Sequence, residues 1–148
     1  MRTTTDAYRR LISEVYELAG RSRSTSERFC RPHGQSVARW HVLSVLLDEQ
    51  RTVPQIADRL GLQRQSVQRI VNELLADGLV DVVDNPTHAR SKLIAISPAG
   101  SRTAHLLFDE SQSARQRVLS STNVTATELE QARSVLERIS RALADDEP

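Results

Sequence analysis

The sequence predicts a mainly α-helical chain that contains one small β-hairpin. Apolar residues recur at intervals of three and four over most of the 148 residues, as they do along one face of a helix. Two short helical segments are separated by only a few residues around Gly61, which is the spacing of a helix-turn-helix. Two short aliphatic runs at 79–83 and 93–96 then predict a pair of strands. A hairpin directly after a helix-turn-helix is a wing, so the predicted fold class is a winged helix-turn-helix.

Local signals delimit the helices before the hairpin. The opening residues have helical apolar spacing, but the end of this first helix stays open because Gly20 and the polar residues after it favour fraying. Residues 31–34 (RPHG) predict a break before a second helix. Thr52, three residues before Gln55, predicts a capping box for the third helix, and Gly61 predicts its left-handed stop. Residues 48–51 are interpreted as a polar connection.

Two further helices are predicted after the hairpin. Ser97 and Pro98 suit the N-cap and the first turn of a fifth helix. Thr125 and Glu128 form a second capping box, which opens a strongly amphipathic final helix. The predicted organisation is an N-terminal dimerisation helix at 1–35, the winged helix-turn-helix at 36–98, and C-terminal dimerisation helices at 99–148.

The first helix and the last two carry apolar stripes that they cannot easily bury as isolated flanks. A second copy of the chain would cover these stripes and place two reading helices along one DNA axis. The residues predicted to lie in this dimer interface are Tyr8, Leu11, Ile12, Val15, Leu129, Val135, Leu136, Ile139 and Leu143.

Several classes of protein are excluded by composition and motifs. The apolar runs are too short for a transmembrane helix, and the first residues lack the apolar core of a secretory signal, so we expect no membrane partner and a cytoplasmic location. A single cysteine, Cys30, cannot form an internal disulfide or a cysteine-rich zinc site. Phosphate-binding loops and the common catalytic signatures are missing, so we expect neither an enzyme nor a cofactor.

The positions of the basic residues indicate a nucleic-acid partner, although the net charge of the chain does not. The net charge is only +1, and all 20 basic residues except Lys92 are arginines, which for the most part reflects composition bias. The start of the fourth helix is free of acids, and arginine pairs with guanine and glutamine with adenine in the major groove. The hairpin tip is a second acid-free stretch, suited to the minor groove or the DNA backbone. The predicted DNA-binding residues are Gln63, Arg64, Gln65, Ser66, Gln68, Arg69, His88, Arg90 and Lys92.

The run from Ser36 to Gly100 resembles the MarR family of bacterial transcription regulators. The matching stretches are WHVL at 40–43, QIADRLGL at 55–62, SVQRIV at 66–71, LLADGLV at 74–80, NPTHARSKL at 85–93 and ISPAG at 96–100. This resemblance implies a homodimer on a pseudo-palindromic operator of double-stranded DNA. It also implies a regulator that is usually a repressor and is often released by a small phenolic or anionic ligand.

Two features of the chain, the wing and the start of the reading helix, depart from the pattern of the family. Its wings often carry acids where this chain has Asn85 and His88, and an arginine where it has Ala89. Only Arg90 remains, so the tether between an acid and an arginine within the wing is missing. The reading helix commonly begins with a serine cap, whereas Gln63 is a poorer one.

The resemblance also suggests residues that could sense a ligand. Trp40, His41 and His105 are candidates to line a cleft for an organic effector. His41, His105 and Asp109 are weak candidates for a zinc site, since some relatives use histidines at such positions.

Cys30 is a candidate redox sensor, because Arg28, Arg31 and His33 could lower its pKa. A plain structural cysteine, either a small apolar residue or one at the surface, is the favoured interpretation.

Two alternatives for the function of the chain stay open beside the ligand-responsive repressor. One is a metal- or redox-responsive variant of the same regulator. The other is a winged-helix module that binds proteins without binding an operator.

Overall fold

The computed structural model describes residues 3–146 and confirms a mainly helical winged fold. The elements in chain order are α1 (Thr4–Cys30), a 3-10 turn (Arg31–His33), α2 (Val37–Val45), α3 (Val53–Leu60), α4 (Arg64–Ala76), β1 (Val80–Val83), β2 (Leu93–Ile96), α5 (Pro98–Thr122) and α6 (Ala126–Asp145). Both predicted capping boxes are present, at Thr52 and at Thr125. Gly61 has a φ of 64°, the left-handed stop that ends α3.

Helix α1 continues through the polar stretch in which the sequence left its end open. Glu17 and Arg21 lie one helical turn apart, on either side of Gly20. They form an ion pair in which Nη2 of Arg21 is 2.7 Å from Oε1 of Glu17. The Thr25 hydroxyl donates to the Arg21 carbonyl at 3.0 Å, and Cys30 is fully buried at the last turn. Tertiary burial at its end therefore keeps this helix intact, and local composition gave no sign of it.

The wing is an antiparallel hairpin in which Val80 faces Ile96 and Val83 faces Leu93. Arg51 adds a third backbone segment, because its amide and carbonyl both bond to Ile94, at 3.1 and 2.8 Å. The side chain of Arg51 also donates from Nε to the Val45 carbonyl at 3.0 Å. The connection predicted at 48–51 thus ends in a one-residue bridge, too short for any strand pattern to indicate.

The core lies under the helix-turn-helix and is aliphatic apart from Trp40 and Cys30. It is built from α2, α3, α4, the hairpin and the first turns of α5, and its most buried large side chains are Val42, Leu43, Ile56, Val67, Val71, Leu74 and Leu107. Gly100 in α5 packs directly on the Leu79 backbone, where an added Cβ would lie 2.0 Å from the carbonyl oxygen. This contact joins α5 to the start of the wing.

The described chain forms two compact units, one ending at Ser111 and the other beginning at Gln112. The division at 1–35, 36–98 and 99–148 remains a prediction. Among the described helices, none is long and apolar enough to cross a membrane.

Candidate nucleic-acid interface

Helix α4 presents one polar face to solvent and one apolar face to the core. Its buried side chains are Val67, Ile70, Val71 and Leu74. The exposed ones include Arg64, Gln65, Gln68, Arg69 and Asn72, while Ser66 is half-buried. The 3.6-residue period of the helix therefore places the predicted reading residues on the outward face.

Of these exposed residues, Gln68 and Arg69 are each held by a partner one turn further along the helix. Gln68 donates from Nε2 to Oδ1 of Asn72 at 2.9 Å. This bond leaves Oε1 and one N–H of Gln68 for the bidentate contact that glutamine makes with adenine. Arg64 has no hydrogen bond or ion pair with the described residues, so its guanidinium remains available.

The start of α4 lacks a side-chain cap, as the glutamine at its N-cap predicts. Gln63 has extended backbone geometry and makes no capping hydrogen bond. The amides of the first turn therefore keep their positive partial charge toward solvent. A phosphate oxygen is the kind of group that such a helix end attracts.

The wing is tied by Asn85, which stands where the family commonly has an acid. Its Nδ2 donates to the Ser91 carbonyl at 2.8 Å, and its Oδ1 accepts from the amide and hydroxyl of Thr87 at 3.2 and 2.8 Å. The side chains of His88 and Arg90 are exposed beyond this tie. Asn85 thus closes the loop internally without a salt bridge, a role that the sequence alone did not indicate.

Lys92 is less free than the acid-free stretch suggested. Its Nζ lies 2.5 Å from Oδ1 of Asp84 across the base of the loop. The hydrogen bond and the charge of Lys92 lower the pKa of the Asp84 carboxyl. Asp84 therefore places an acid directly beside Lys92 at the base of the wing loop.

A groove of about 610 Å³ separates α4 from the wing. Its polar lining includes five of the predicted DNA-binding residues: Arg64, Gln65, Gln68, Arg90 and Lys92. The remaining four, which are Gln63, Ser66, Arg69 and His88, lie outside this lining. Asn72 also lines the groove, and its hydrogen bond to Gln68 is visible only once the helix is built.

A smaller cavity of about 280 Å³ lies between α2 and α5. It is lined by Trp40, Ser44, Leu47, Ala104, His105 and Phe108. Two of the three predicted effector residues are therefore present, while His41 is exposed and outside the lining. Nδ1 of His105 lies 2.8 Å from the Ser101 carbonyl oxygen, which can only accept a hydrogen bond. In the neutral ring the proton is therefore on Nδ1, and Nε2 is a hydrogen-bond acceptor.

The metal and redox candidates find little support. Within residues 3–146, no group of three His, Cys, Asp or Glu side chains could hold a metal ion, so His41, His105 and Asp109 do not form one. Cys30 is buried, and this burial, together with the charge of Glu27, raises the pKa of the thiol to about 11. The shift is opposite to the lowering that the redox alternative needs, and a buried thiol agrees with the favoured interpretation of a plain structural cysteine.

Comparison with known proteins agrees with this geometry. A MarR family model matches residues 33–91. An uncharacterized protein from Mycobacterium tuberculosis is 36% identical over 143 residues, which cover 97% of this chain and 99% of that protein. A MarR family transcription regulator of known crystal structure is 26% identical to this chain in sequence, and the two structures superpose with a TM-score of 0.68. The match covers 95% of this chain and 93% of the other. CouR from Rhodococcus jostii RHA1, solved with p-coumaroyl-CoA bound, has a similar fold at 24% identity, a TM-score of 0.75 and coverage of 95% and 96%.

Proposed function

Because this chain belongs to the MarR family of transcription regulators, we propose that it represses transcription as a homodimer bound to a pseudo-palindromic operator. The observation that carries this proposal is the groove between α4 and the wing, with Arg64, Gln65 and Gln68 on one wall and Arg90 on the other. A positively charged cleft of this kind suits a DNA backbone running between two reading elements.

Helix α4 enters the major groove and the wing approaches the adjacent minor groove. Arg64 suits guanine and Gln68, held by Asn72, suits adenine. Arg90 suits a narrow minor groove, where the negative potential favours a guanidinium. Gln63, Ser66 and the uncapped helix start supply phosphate contacts that fix the register.

The dimer is supported by the uncovered apolar faces of the terminal helices. None of the 20 residues of α6 is buried, although Leu129, Val135 and Leu143 are large and apolar. Tyr8 is exposed on α1, and Leu11, Ile12 and Val15 are only half-buried there. A second copy of the chain would bury these faces and set the two α4 helices one turn of DNA apart, about 34–36 Å.

The effector proposed is a small phenolic or anionic molecule bound between α2 and α5. Trp40 and Phe108 supply apolar ring surface to the cavity. Nε2 of His105 can accept a hydrogen bond from a phenolic hydroxyl or, when the ring is protonated, pair with an anion. CouR, solved with p-coumaroyl-CoA, offers a precedent in a protein of this fold. No catalytic role is proposed, and the place of action is the cytoplasm, where the operator lies.

Replacing Arg64 by alanine should weaken operator binding by about 1–3 kcal/mol and relax the preference for one base pair, since a bidentate contact is lost. The measurement is fluorescence anisotropy with DNA from upstream of the protein's own gene, together with single-base variants of it. Arg102→Ala on α5 removes the same exposed side chain outside the groove and is the matched control.

An equal loss for every sequence would instead make Arg64 a phosphate anchor. Absence of wild-type binding at low salt, by a protein that is folded and dimeric, would favour the module that binds proteins. The missing wing tether was the reason for that alternative, and the bonds of Asn85 weaken it.

A further inference from the structure

We propose that Glu73 pairs with the DNA-contacting Arg69 in the free protein, and that Arg39 sets how readily Arg69 leaves this pair to bind a phosphate. Arg39 is thereby a positioning residue for a contact that it does not make itself. This inference rests on the proposed function, because it concerns how α4 engages DNA.

Glu73 lies between two arginines of unequal freedom. Its Oε1 accepts from Nη1 of Arg69 at 3.1 Å, one turn away on α4. Its Oε2 lies 3.7 Å from Nη1 of Arg39, which belongs to α2. The Arg39 side chain is only 12% exposed, whereas that of Arg69 is 71% exposed. The Arg39 side of this cluster is therefore fixed, and the Arg69 side can exchange its partner.

Arg39 is fixed by two further side chains, one just before α2 and one just after α4. Its Nε donates to Oε1 of Gln35 at 2.8 Å, and its Nη2 forms an ion pair with Asp77 at the end of α4. The guanidinium of Arg39 thus lies beside two carboxylates at once, Glu73 of α4 and Asp77 at the C-cap of that helix. The reading helix is bound to α2 through the side that faces away from Arg64.

The electrostatic consequence concerns the two acids near the DNA-contacting face. If they stood alone, Glu73 and Asp77 would repel phosphates, and Glu73 would also retain Arg69. Arg39 offsets part of their charge, so Glu73 keeps a cationic neighbour when Arg69 turns away. Since the pair of Arg69 and Glu73 is exposed, it is weak enough for a phosphate to displace.

The position of Arg69 identifies the group that it would contact. Arg69 does not line the groove between α4 and the wing, unlike Arg64 and Gln68. It lies toward the opposite flank of the helix, where the wall of the major groove is sugar and phosphate rather than base. Its contribution should therefore be the same for all sequences.

The test is a set of operator-binding measurements with a double-mutant cycle. Glu73→Gln should tighten binding roughly two- to fivefold, the range that an exposed ion pair of this kind is worth, and equally for operator and unrelated DNA. Arg69→Gln should reduce the salt slope by about one and remove most of the gain from Glu73→Gln. Glu17→Gln on α1 removes the same charge and a similar ion pair to Arg21, and should leave affinity unchanged.

The role of Arg39 is tested against the same background. Arg39→Gln should weaken binding in the wild-type chain but much less in a chain that carries Glu73→Gln, because the acid that retains Arg69 is then neutral. A merely structural role would give the same loss in both. Should Arg39→Gln fail to fold, Arg39→Lys, which keeps the charge, should retain most of the wild-type affinity, and a large loss by this folded variant would contradict the positioning role.

Failure of the proposed function and failure of this inference alone give different results. A wild-type dimer that binds no duplex at low salt would contradict the DNA-binding proposal and this inference with it. A wild-type protein that binds well, while Glu73→Gln tightens binding no more than Glu17→Gln or tightens it equally without Arg69, would overturn this inference alone.

Discussion

Replacing Gly100 by alanine is expected to destabilise the protein by about 3 kcal/mol, at or above the upper end of the cost of overpacking a core. The new Cβ would lie 2.0 Å from the Leu79 carbonyl oxygen and 2.9 Å from Cγ1 of Ile96. That carbonyl cannot easily move, because it accepts from the Ser97 amide at 3.0 Å. The Gly100 amide is itself held by the Ser97 hydroxyl at 3.0 Å. The measurement is the free energy of unfolding from denaturant titration.

Gly20→Ala is the matched control, since it makes the same change within a helix. Nothing lies within 4 Å of a Cβ added at Gly20, so this substitution should stabilise by about 0.5–1 kcal/mol through helix propensity. A Gly100→Ala variant as stable as the wild type would contradict the close packing of α5 on the wing.

Placing glutamate at both Leu136 and Ile139 should abolish the dimer and lower operator affinity by about 10²–10⁴-fold, the usual gain from linking two binding modules. These residues lie on the apolar face of α6 and are the most covered residues of that helix, yet neither is fully buried within the chain. Two buried carboxylates at an interface between copies would be costly, since neither would have a partner. The measurement pairs the mass of the protein in solution with its operator affinity.

Arg138→Glu places the same side chain on the exposed face of α6 and is the control. This variant should still have the mass of a dimer in solution and should keep most of the wild-type operator affinity. Unchanged helix content in the double variant would show that the monomer is folded. A double variant that stays dimeric and binds as tightly as the wild type would place the interface elsewhere.

The sequence predicts those parts of the fold that depend on neighbouring residues. The capping boxes at Thr52 and Thr125 and the stop at Gly61 are local hydrogen-bond devices, and all three are present. The outward face of α4 follows from helical period alone. These features need no knowledge of the rest of the chain.

The features that escaped prediction depend on contacts between distant residues. Arg39 and Glu73 meet across two helices, and no spacing rule connects them. The bridge from Arg51 to Ile94 is a single residue pair. The sequence left open whether Cys30 is a small apolar residue or one at the surface, and only the packing shows the burial that raises the pKa of its thiol. Asn85 closes the wing through its amide, although the expected motif has an acid there.

Selection of bound duplexes from a random pool with the 148-residue chain tests whether α4 reads base pairs at two symmetric half-sites. We expect enrichment of an inverted repeat with half-site centres about 10–10.5 base pairs apart, and with guanine or adenine at the positions that Arg64 and Gln68 reach. A folded dimer that enriches no sequence over the starting pool would contradict it.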